Sequence, residues 1–237
     1  MKTIAAILAA GKGLRAGFPV PKQLAIVAGK PLVRHSLKRF NDSSVIEAII
    51  IVTSDECMEK MHEIVLREKF AKVAKIIEGG KTRSDSSFAA IRCCRELCGG
   101  EEAKLLLHDA ARPLVTDRMI EDVARSLDDN PAATIAVPAS DTIAVSDGSG
   151  AIRDIPDRRK MYVLQTPQAF RFTVLERAYA LAANDPDFAA SDDCGVVRKY
   201  LPELGIALVE NPAANIKLTY PEDLPLLEKL LETGDFK

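Results

Sequence analysis

Two spacings of apolar residues take turns along this chain, and their alternation predicts its architecture. Predominantly apolar runs of strand length fall at residues 4–9, 45–52, 73–77, 103–108 and 133–137, with a shorter one at 206–209. The run at 45–52 is rich in β-branched residues, which suits a central strand covered on both faces. Between these runs the period lengthens. Leu32, Leu37 and Phe40 predict a helix over 31–40, and Met58, Met61, Ile64 and Val65 predict another over 55–69. Further helices are expected over 84–97, 117–127 and 172–183, and a short one is expected from a Ser191-Asp192-Asp193 cap to Tyr200. A last helix would turn Leu224, Leu227 and Leu231 inward, with Pro221 in its first turn and a capping-box spacing from Thr219 to Glu222. Residues 215–219 read as one more strand. Strands alternating with helices, and no linker between them, predict one domain over 1–237 of the α/β class, three-layered and built on a mainly parallel sheet.

The alternation breaks once. Residues 141–146 and 151–155 flank a turn at Asp147-Gly148 and predict a β-hairpin within a protruding arm over 139–160. An isolated two-stranded hairpin is marginal in water, so its apolar residues need a further surface, which a partner subunit could supply.

Charge and composition exclude more than they establish. The 237 residues carry a formal net charge of -2, so bulk electrostatics argue against a nucleic-acid partner, and any anion site must be local. No apolar run approaches membrane-spanning length, and glycines interrupt the N-terminal one, so neither a membrane span nor a signal peptide is expected and the reading is cytoplasmic. Cys57, Cys93, Cys94, Cys98 and Cys194 are an odd set that does not suggest a disulfide framework. Cys93, Cys94 and Cys98 lack a Cys-x-x-Cys pair or a neighbouring histidine, so they read as buried thiols of a helix rather than zinc ligands.

The chemistry begins where the first strand ends. Leu8-Ala9-Ala10-Gly11-Lys12-Gly13-Leu14-Arg15 runs from strand into a glycine turn, and Pro21-Lys22-Gln23 follows. Backbone amides in such a turn form a concavity for anions, and Arg15 and Lys22 add a planar fork and a mobile point charge. Together they predict a cradle for a polyphosphate. A dinucleotide fingerprint fits poorly, because Pro19 and Pro21 forbid the immediate helix it requires. A P-loop is not matched: Gly29-Lys30-Pro31 lacks the Ser/Thr, and Gly80-Lys81-Thr82 lacks the leading glycine, since Lys75 stands in its place. Gly79-Gly80 and the segment to Ser86 open a helix, whose free N-terminal amides favour polar or anionic groups; Ser84 or Asp85 would cap it. Asp109 closes the fourth strand on the side where ligands sit in open α/β sheets, a natural ligand for a hard cation that also takes phosphate oxygens. His108, just before it, is expected to pack inward without chemistry.

The loop, with Pro21-Lys22-Gln23, looks like the signature of nucleotidyltransferases that join a nucleoside triphosphate to a phosphorylated sugar or polyol. His108-Asp109-Ala110-Ala111-Arg112-Pro113 narrows the resemblance, which runs nearly end to end, to the 2-C-methyl-D-erythritol 4-phosphate cytidylyltransferase family. Two departures stand out: Ala16-Gly17-Phe18 where that family usually has Met after the loop arginine, and Ser191 where it usually has Thr. The resemblance implies a Rossmann-like nucleotidyltransferase fold, with CTP and a polyol phosphate as ligands and Mg²⁺ or another divalent cation on Asp109. It further implies a homodimer in which each arm completes the neighbour's site. Carried over residue by residue, Ala9, Ala10, Gly11, Gly13, Arg15, Lys22, Gly79, Arg83, Ser86, Asp109 and Ala110 would bind the nucleotide, Arg83 and Ser86 near the cytosine and ribose. Arg112, Asp141, Thr142, Arg158, Thr166, Ser191 and Lys217 would bind the acceptor. Arg15, Lys22 and Lys217 would be catalytic. Without the resemblance, Arg158 reads as one member of the solvated charge run Asp157-Arg158-Arg159-Lys160.

The implied reaction is attack by the acceptor phosphate on the α-phosphorus of CTP, with loss of pyrophosphate. The nearest rival is a pentitol-phosphate cytidylyltransferase acting on ribitol 5-phosphate, whose strand-four motif more often reads His-Asp-Ser-Val-Arg-Pro. Ala110-Ala111 favours methylerythritol, while Ile155-Pro156-Asp157-Arg158 leans mildly toward the pentitol branch. A rival of another class is a nucleotide-binding sensor without catalysis.

Overall fold

In a computed structural model of the chain, the structure describes residues 1–11, 20–211 and 215–234. The expectations for Gly13 and Arg15 therefore lie outside the described residues. In chain order the strands and helices are β1 (Lys2–Ala9), β2 (Ile26–Val27), β3 (Lys30–Pro31), α1 (Leu32–Asp42), β4 (Ala48–Thr53), α2 (Met58–Glu68), β5 (Val73–Glu78), α3 (Arg83–Cys98) and β6 (Ala103–Asp109). There follow α4 (Asp117–Ser126), β7 (Ala132–Pro138), β8 (Val145–Ser146), β9 (Ile152–Asp154), β10 (Tyr162–Arg171), α5 (Phe172–Ala182), α6 (Asp193–Tyr200), β11 (Ile206–Glu210) and α7 (Leu224–Thr233).

The main sheet has seven strands in the order β11-β7-β10-β6-β1-β4-β5. All its pairings are parallel except those of β10, which runs antiparallel to both β6 and β7. Because successive side chains of a strand point to opposite faces, β1 divides its apolar residues between two cores. Ile4, Ala6 and Leu8 pack with residues of α3, α5 and α6. Ala5, Ile7 and Ala9 pack with residues of α1, α2 and α4. This explains why the run at 4–9 shows no alternation of its own. Cys93 and Cys94 are buried in the first core, as their place on a helix predicts, whereas Cys98, expected to be buried with them, is only half-buried at its edge; no metal-binding group of three or more His, Cys, Asp or Glu occurs among the described residues.

Strand β10 was not expected. Pro167 argues against a central strand, and the ladder with β7 shifts register between Leu164 and Gln168, where the proline sits. Residues 215–219, expected to be a strand, form no ladder. They run extended and are tied by individual bonds: the Leu218 amide to the Ala111 carbonyl at 2.8 Å, Arg112 Nη1 to the Asn215 carbonyl at 2.7 Å, and Asn215 Nδ2 to the Thr166 carbonyl at 2.7 Å. The expected hairpin is present but shorter: β8 and β9 are antiparallel around a turn in which the Asp147 carboxylate accepts from the Ser149 amide at 2.8 Å. A third, smaller core joins Val27, Leu32, Leu114, Leu218 and Leu227, with Leu224 and Leu231 packed against it, so α7 is fastened beneath residues 215–219. The caps also differ in detail. Thr82, rather than Ser84 or Asp85, caps α3 in a capping box with Asp85. Asp223, not Glu222, accepts the Thr219 and Tyr220 amides before α7, at 2.7 and 2.8 Å.

Candidate active site

A cleft opens at the carboxyl ends of β1 and β6, where the sheet's strand order reverses direction and ligands sit in open α/β sheets. Its floor is Ala9, Ala10 and Gly11, with Asp109 and Ala110 alongside. The Ala110 amide donates to the Leu8 carbonyl at 3.0 Å, which locks the two strand ends together. The far wall is the turn before α3. There Gly79 approaches so closely that a Cβ would lie 2.5 Å from Ala10 Cβ and 2.8 Å from Ser86 Oγ. Only glycine fits, so the pair at 79–80 shapes the wall in addition to freeing the helix terminus. Ser86 Oγ accepts from the Gly80 amide at 3.3 Å and donates to the Thr82 carbonyl at 3.1 Å.

Charged groups from distant parts of the chain meet over this floor. Asp109 Oδ2 accepts from Lys217 Nζ at 2.7 Å and Oδ1 from Arg83 Nε at 3.2 Å. Burial by itself raises the Asp109 carboxyl, but Arg83 and Lys217 beside it win and hold it well below the usual carboxylate range. Arg83 shows the converse. Burial disfavours its charge, yet Asp193 and Asp109 more than offset that and keep the guanidinium firmly protonated. Lys22 leaves the short 3₁₀ turn of 22–24, and its Nζ donates to the Leu218 carbonyl at 2.9 Å. The two lysines therefore flank one short segment, Lys217 projecting from it and Lys22 bonded to it, and both line the cleft that holds Asp109.

Behind the floor, His108 is fully buried between the Arg112 carbonyl, 3.0 Å from Nε2, and Thr166 Oγ1, 3.1 Å from Nδ1. Burial pushes its imidazole down to about 4, so it is neutral near pH 7 and acts as a spacer. Thr166 Oγ1 also accepts from the Asp109 amide at 3.1 Å. That hydroxyl fixes the Asp109 backbone from beneath.

Of the residues expected at the site, Ala9, Ala10, Gly11, Lys22, Arg83, Ser86, Asp109, Ala110 and Lys217 line this one cleft, and Gly79 forms its wall. Arg112 is turned to the Asn215 carbonyl. Thr166 is buried behind Asp109. Ser191 lines a separate shallow depression with Thr134, Leu164 and Leu208. Asp141, Thr142 and Arg158 belong to the arm, where Arg158 Nη1 donates to the Ser140 carbonyl at 2.9 Å. Sequence reasoning missed Asp193, which is fully buried and bonds Arg83 Nη1 at 2.6 Å. It also missed Lys81 and Thr82, which line the cleft, and Gln168, whose Oε1 accepts from the Asp193 amide at 3.1 Å. Burial of the second carboxylate in the Asp192-Asp193 pair was the fact that could not be seen.

A curated relative from Thermobifida fusca, named 2-C-methyl-D-erythritol 4-phosphate cytidylyltransferase, is 40% identical over 98% of this chain and 94% of its own length. A bifunctional ribulose 5-phosphate reductase/CDP-ribitol pyrophosphorylase from Haemophilus influenzae is 39% identical over 98% of this chain but only 48% of its own length. The crystal structure of a 4-diphosphocytidyl-2C-methyl-D-erythritol synthase from Anaerococcus prevotii superposes with a TM-score of 0.84, covering 98% of this chain and 99% of that one at 26% identity. No helix among the described residues is long and apolar enough to cross a membrane. The profile of the 2-C-methyl-D-erythritol 4-phosphate cytidylyltransferase family matches residues 3–233, and the chain belongs to that family.

Proposed function

We propose that the protein transfers a cytidylyl group from CTP to 2-C-methyl-D-erythritol 4-phosphate, releasing pyrophosphate and forming 4-diphosphocytidyl-2-C-methyl-D-erythritol, a step in isoprenoid precursor synthesis. The observation that carries this reading is the meeting of Lys22, Arg83, Lys217 and Asp109 over one glycine-walled floor. A phosphate monoester is already anionic near neutral pH and needs no strong general base to attack. Catalysis then reduces to alignment and to cations placed where charge develops. Lys22 neutralises the α-phosphoryl group as it becomes five-coordinate. Lys217 steadies the transferring phosphoryl and the incoming phosphate. Arg15, outside the described residues, would take the leaving pyrophosphate. Arg83 and Ser86 lie on the wall that would face the base and ribose.

The donor set fits a divalent cation of the magnesium type. Each Asp109 oxygen accepts one bond from a cation and keeps lone pairs, and Mg²⁺ commonly takes one or two carboxylates plus substrate phosphates. Asp109 would hold it, and bound there it would neutralise phosphate charge. The chain's own contribution is to present that carboxylate ionised and rigid.

The arm supplies the acceptor end in this reading. Ile152 and Ile155 on the arm are 65% and 55% exposed, and Val163 and Leu164 of β10 and Leu208 of β11 are also exposed. A second copy of the chain would cover these surfaces and bring Asp141, Thr142 and Arg158 to its neighbour's cleft, where Arg158 would grip the acceptor phosphate with its fork. Ser191 would then meet the polyol.

Ribitol 5-phosphate is the second reading, supported by the identity to the Haemophilus influenzae protein. Incubation with CTP, magnesium and each phosphate separately, followed by pyrophosphate release, tests both. Faster release with 2-C-methyl-D-erythritol 4-phosphate is expected. Preference for ribitol 5-phosphate would transfer the assignment, and no release with either would favour a nucleotide sensor.

A further inference from the structure

Asp109 is shared by two cations that are held very differently. Lys217 reaches it on a flexible stem whose side chain is 40% exposed. Arg83 makes the longer contact with Asp109, 3.2 Å against 2.7 Å, so on distance alone Arg83 would be the easier to displace. It is nevertheless the better anchored of the two. Its Nη1 donates to Asp193 Oδ2 at 2.6 Å and to Ser87 Oγ at 2.8 Å. Asp193 in turn cannot follow a moving guanidinium. It is fully buried, its Oδ1 accepts from Tyr179 at 2.6 Å, and its amide is tied to Gln168. The carboxylate is thus held from α5 by Tyr179 and its backbone from β10 by Gln168, while Arg83 comes from α3.

We propose that Asp193 is a positioning residue for nucleotide binding: it retains Arg83 against α3, so that Lys217 is the cation that leaves Asp109 when CTP and its divalent cation arrive. The charges require such a partition. Two cations on one carboxylate compete with an incoming metal ion, and a mobile lysine released from Asp109 is free to meet phosphate oxygens, whereas a released arginine would leave Asp193 buried and unpaired. With Asp193 neutral, Arg83 would shift its attraction to Asp109 and oppose the arriving cation.

This inference rests on the cytidylyltransferase reading, so its test begins with calorimetric titration of CTP in magnesium into the wild type. Asp193→Asn, nearly isosteric, is expected to raise the CTP dissociation constant about tenfold, a coupling within the range for directly bonded groups. The KM for the polyol phosphate is expected to stay unchanged, a split that general loosening of the fold would not produce. In an Arg83→Gln background the same change should add less than about twofold, because its route through Arg83 is gone. Ser87→Ala removes the other Nη1 partner without stranding a charge, and about a threefold rise is expected even if the Asn variant does not fold. Wild-type affinity in Asp193→Asn, a full effect persisting in the Arg83→Gln background, or an unchanged constant in Ser87→Ala would each overturn the proposal. A wild type that does not bind CTP would overturn the functional reading itself, whereas a binding wild type with indifferent variants would overturn this inference alone.

Discussion

The cleft and the arm are built on opposite plans. In the cleft, Asp109 is 8% exposed, both its oxygens are bonded, its backbone amide is fixed by Thr166, and the arginine beside it is fixed in turn by Asp193. In the arm, β8 and β9 are two and three residues long, and Arg158 reaches no further than the Ser140 carbonyl of its own arm. One region holds its geometry before any ligand arrives. The other spends Arg158 and Arg159 on groups of its own arm, Ser140 and Asp157, and leaves Ile152 and Ile155 exposed. Preorganisation is concentrated where phosphoryl charge must be stabilised, because a displacement of an ångström there costs rate steeply. In the proposed reading, the acceptor end would be finished by association with a second copy.

Three changes would break or sharpen that contrast. The largest effect belongs to the cleft: Lys22→Ala should lower kcat by roughly 10²–10³, about 3–4 kcal/mol, while the KM for CTP moves little, because the charge it meets grows in the transition state. Steady-state kinetics read this directly, and an unchanged kcat would remove Lys22 from the chemistry.

Next comes acid stability. His108 protonates in the unfolded chain as pH falls through about 6.5, but in the folded chain only near 4. Its contribution is therefore complete above pH 6.5 and is lost as pH falls between those two values, by about 3 kcal/mol at most. Urea unfolding at pH 7.5 and pH 5 should show the loss, and the pH dependence in this window should flatten in His108→Gln. Asp109, held low, contributes in a separate window below its ordinary value. Substitutions in the arm should leave both windows alone; an arm variant that removed the acid loss would undo the distinction.

The smallest effect lies in the arm. Arg158→Ala should raise the KM for the polyol phosphate about tenfold, near 1.4 kcal/mol, and leave CTP binding untouched. An effect on CTP binding instead would place Arg158 at the nucleotide, making the division between the two regions wrong.

Much of this arrangement could be read from residues alone, for reasons that differ from place to place. The runs at 4–9 and 45–52 announced strands buried on both faces because their inner positions are apolar apart from Glu47, and 48–52 is unbroken. The glycines at 79 and 80 announced a close approach, though its partner, Ala10, came from another strand. Strand β10 escaped because Pro167 and the polar residues around it mimic a loop, and only the register shift against β7 shows how a sheet accommodates them. Residues 215–219 misled in the opposite sense: their composition suits a strand, but their backbone groups are spent on Ala111, Arg112 and Lys22 instead of a ladder. Asp193 escaped for a related reason. Adjacent acids at a helix start read as caps, and the first of them is one, since Asp192 accepts from the Gly195 amide at 2.8 Å. The second turns inward to a charge that only tertiary structure brings near.

The bond from Lys22 to the Leu218 carbonyl has a consequence for synthesis on the ribosome. Two stretches 196 positions apart in the sequence meet there. A chain terminated just after β11 would carry every strand of the main sheet, yet it would lack Lys217 and the segment that anchors Lys22. Such a fragment could acquire its scaffold while still unable to turn over nucleotide. Competence would arrive only as the last helix emerges, so prematurely released products would be inert instead of wasting CTP.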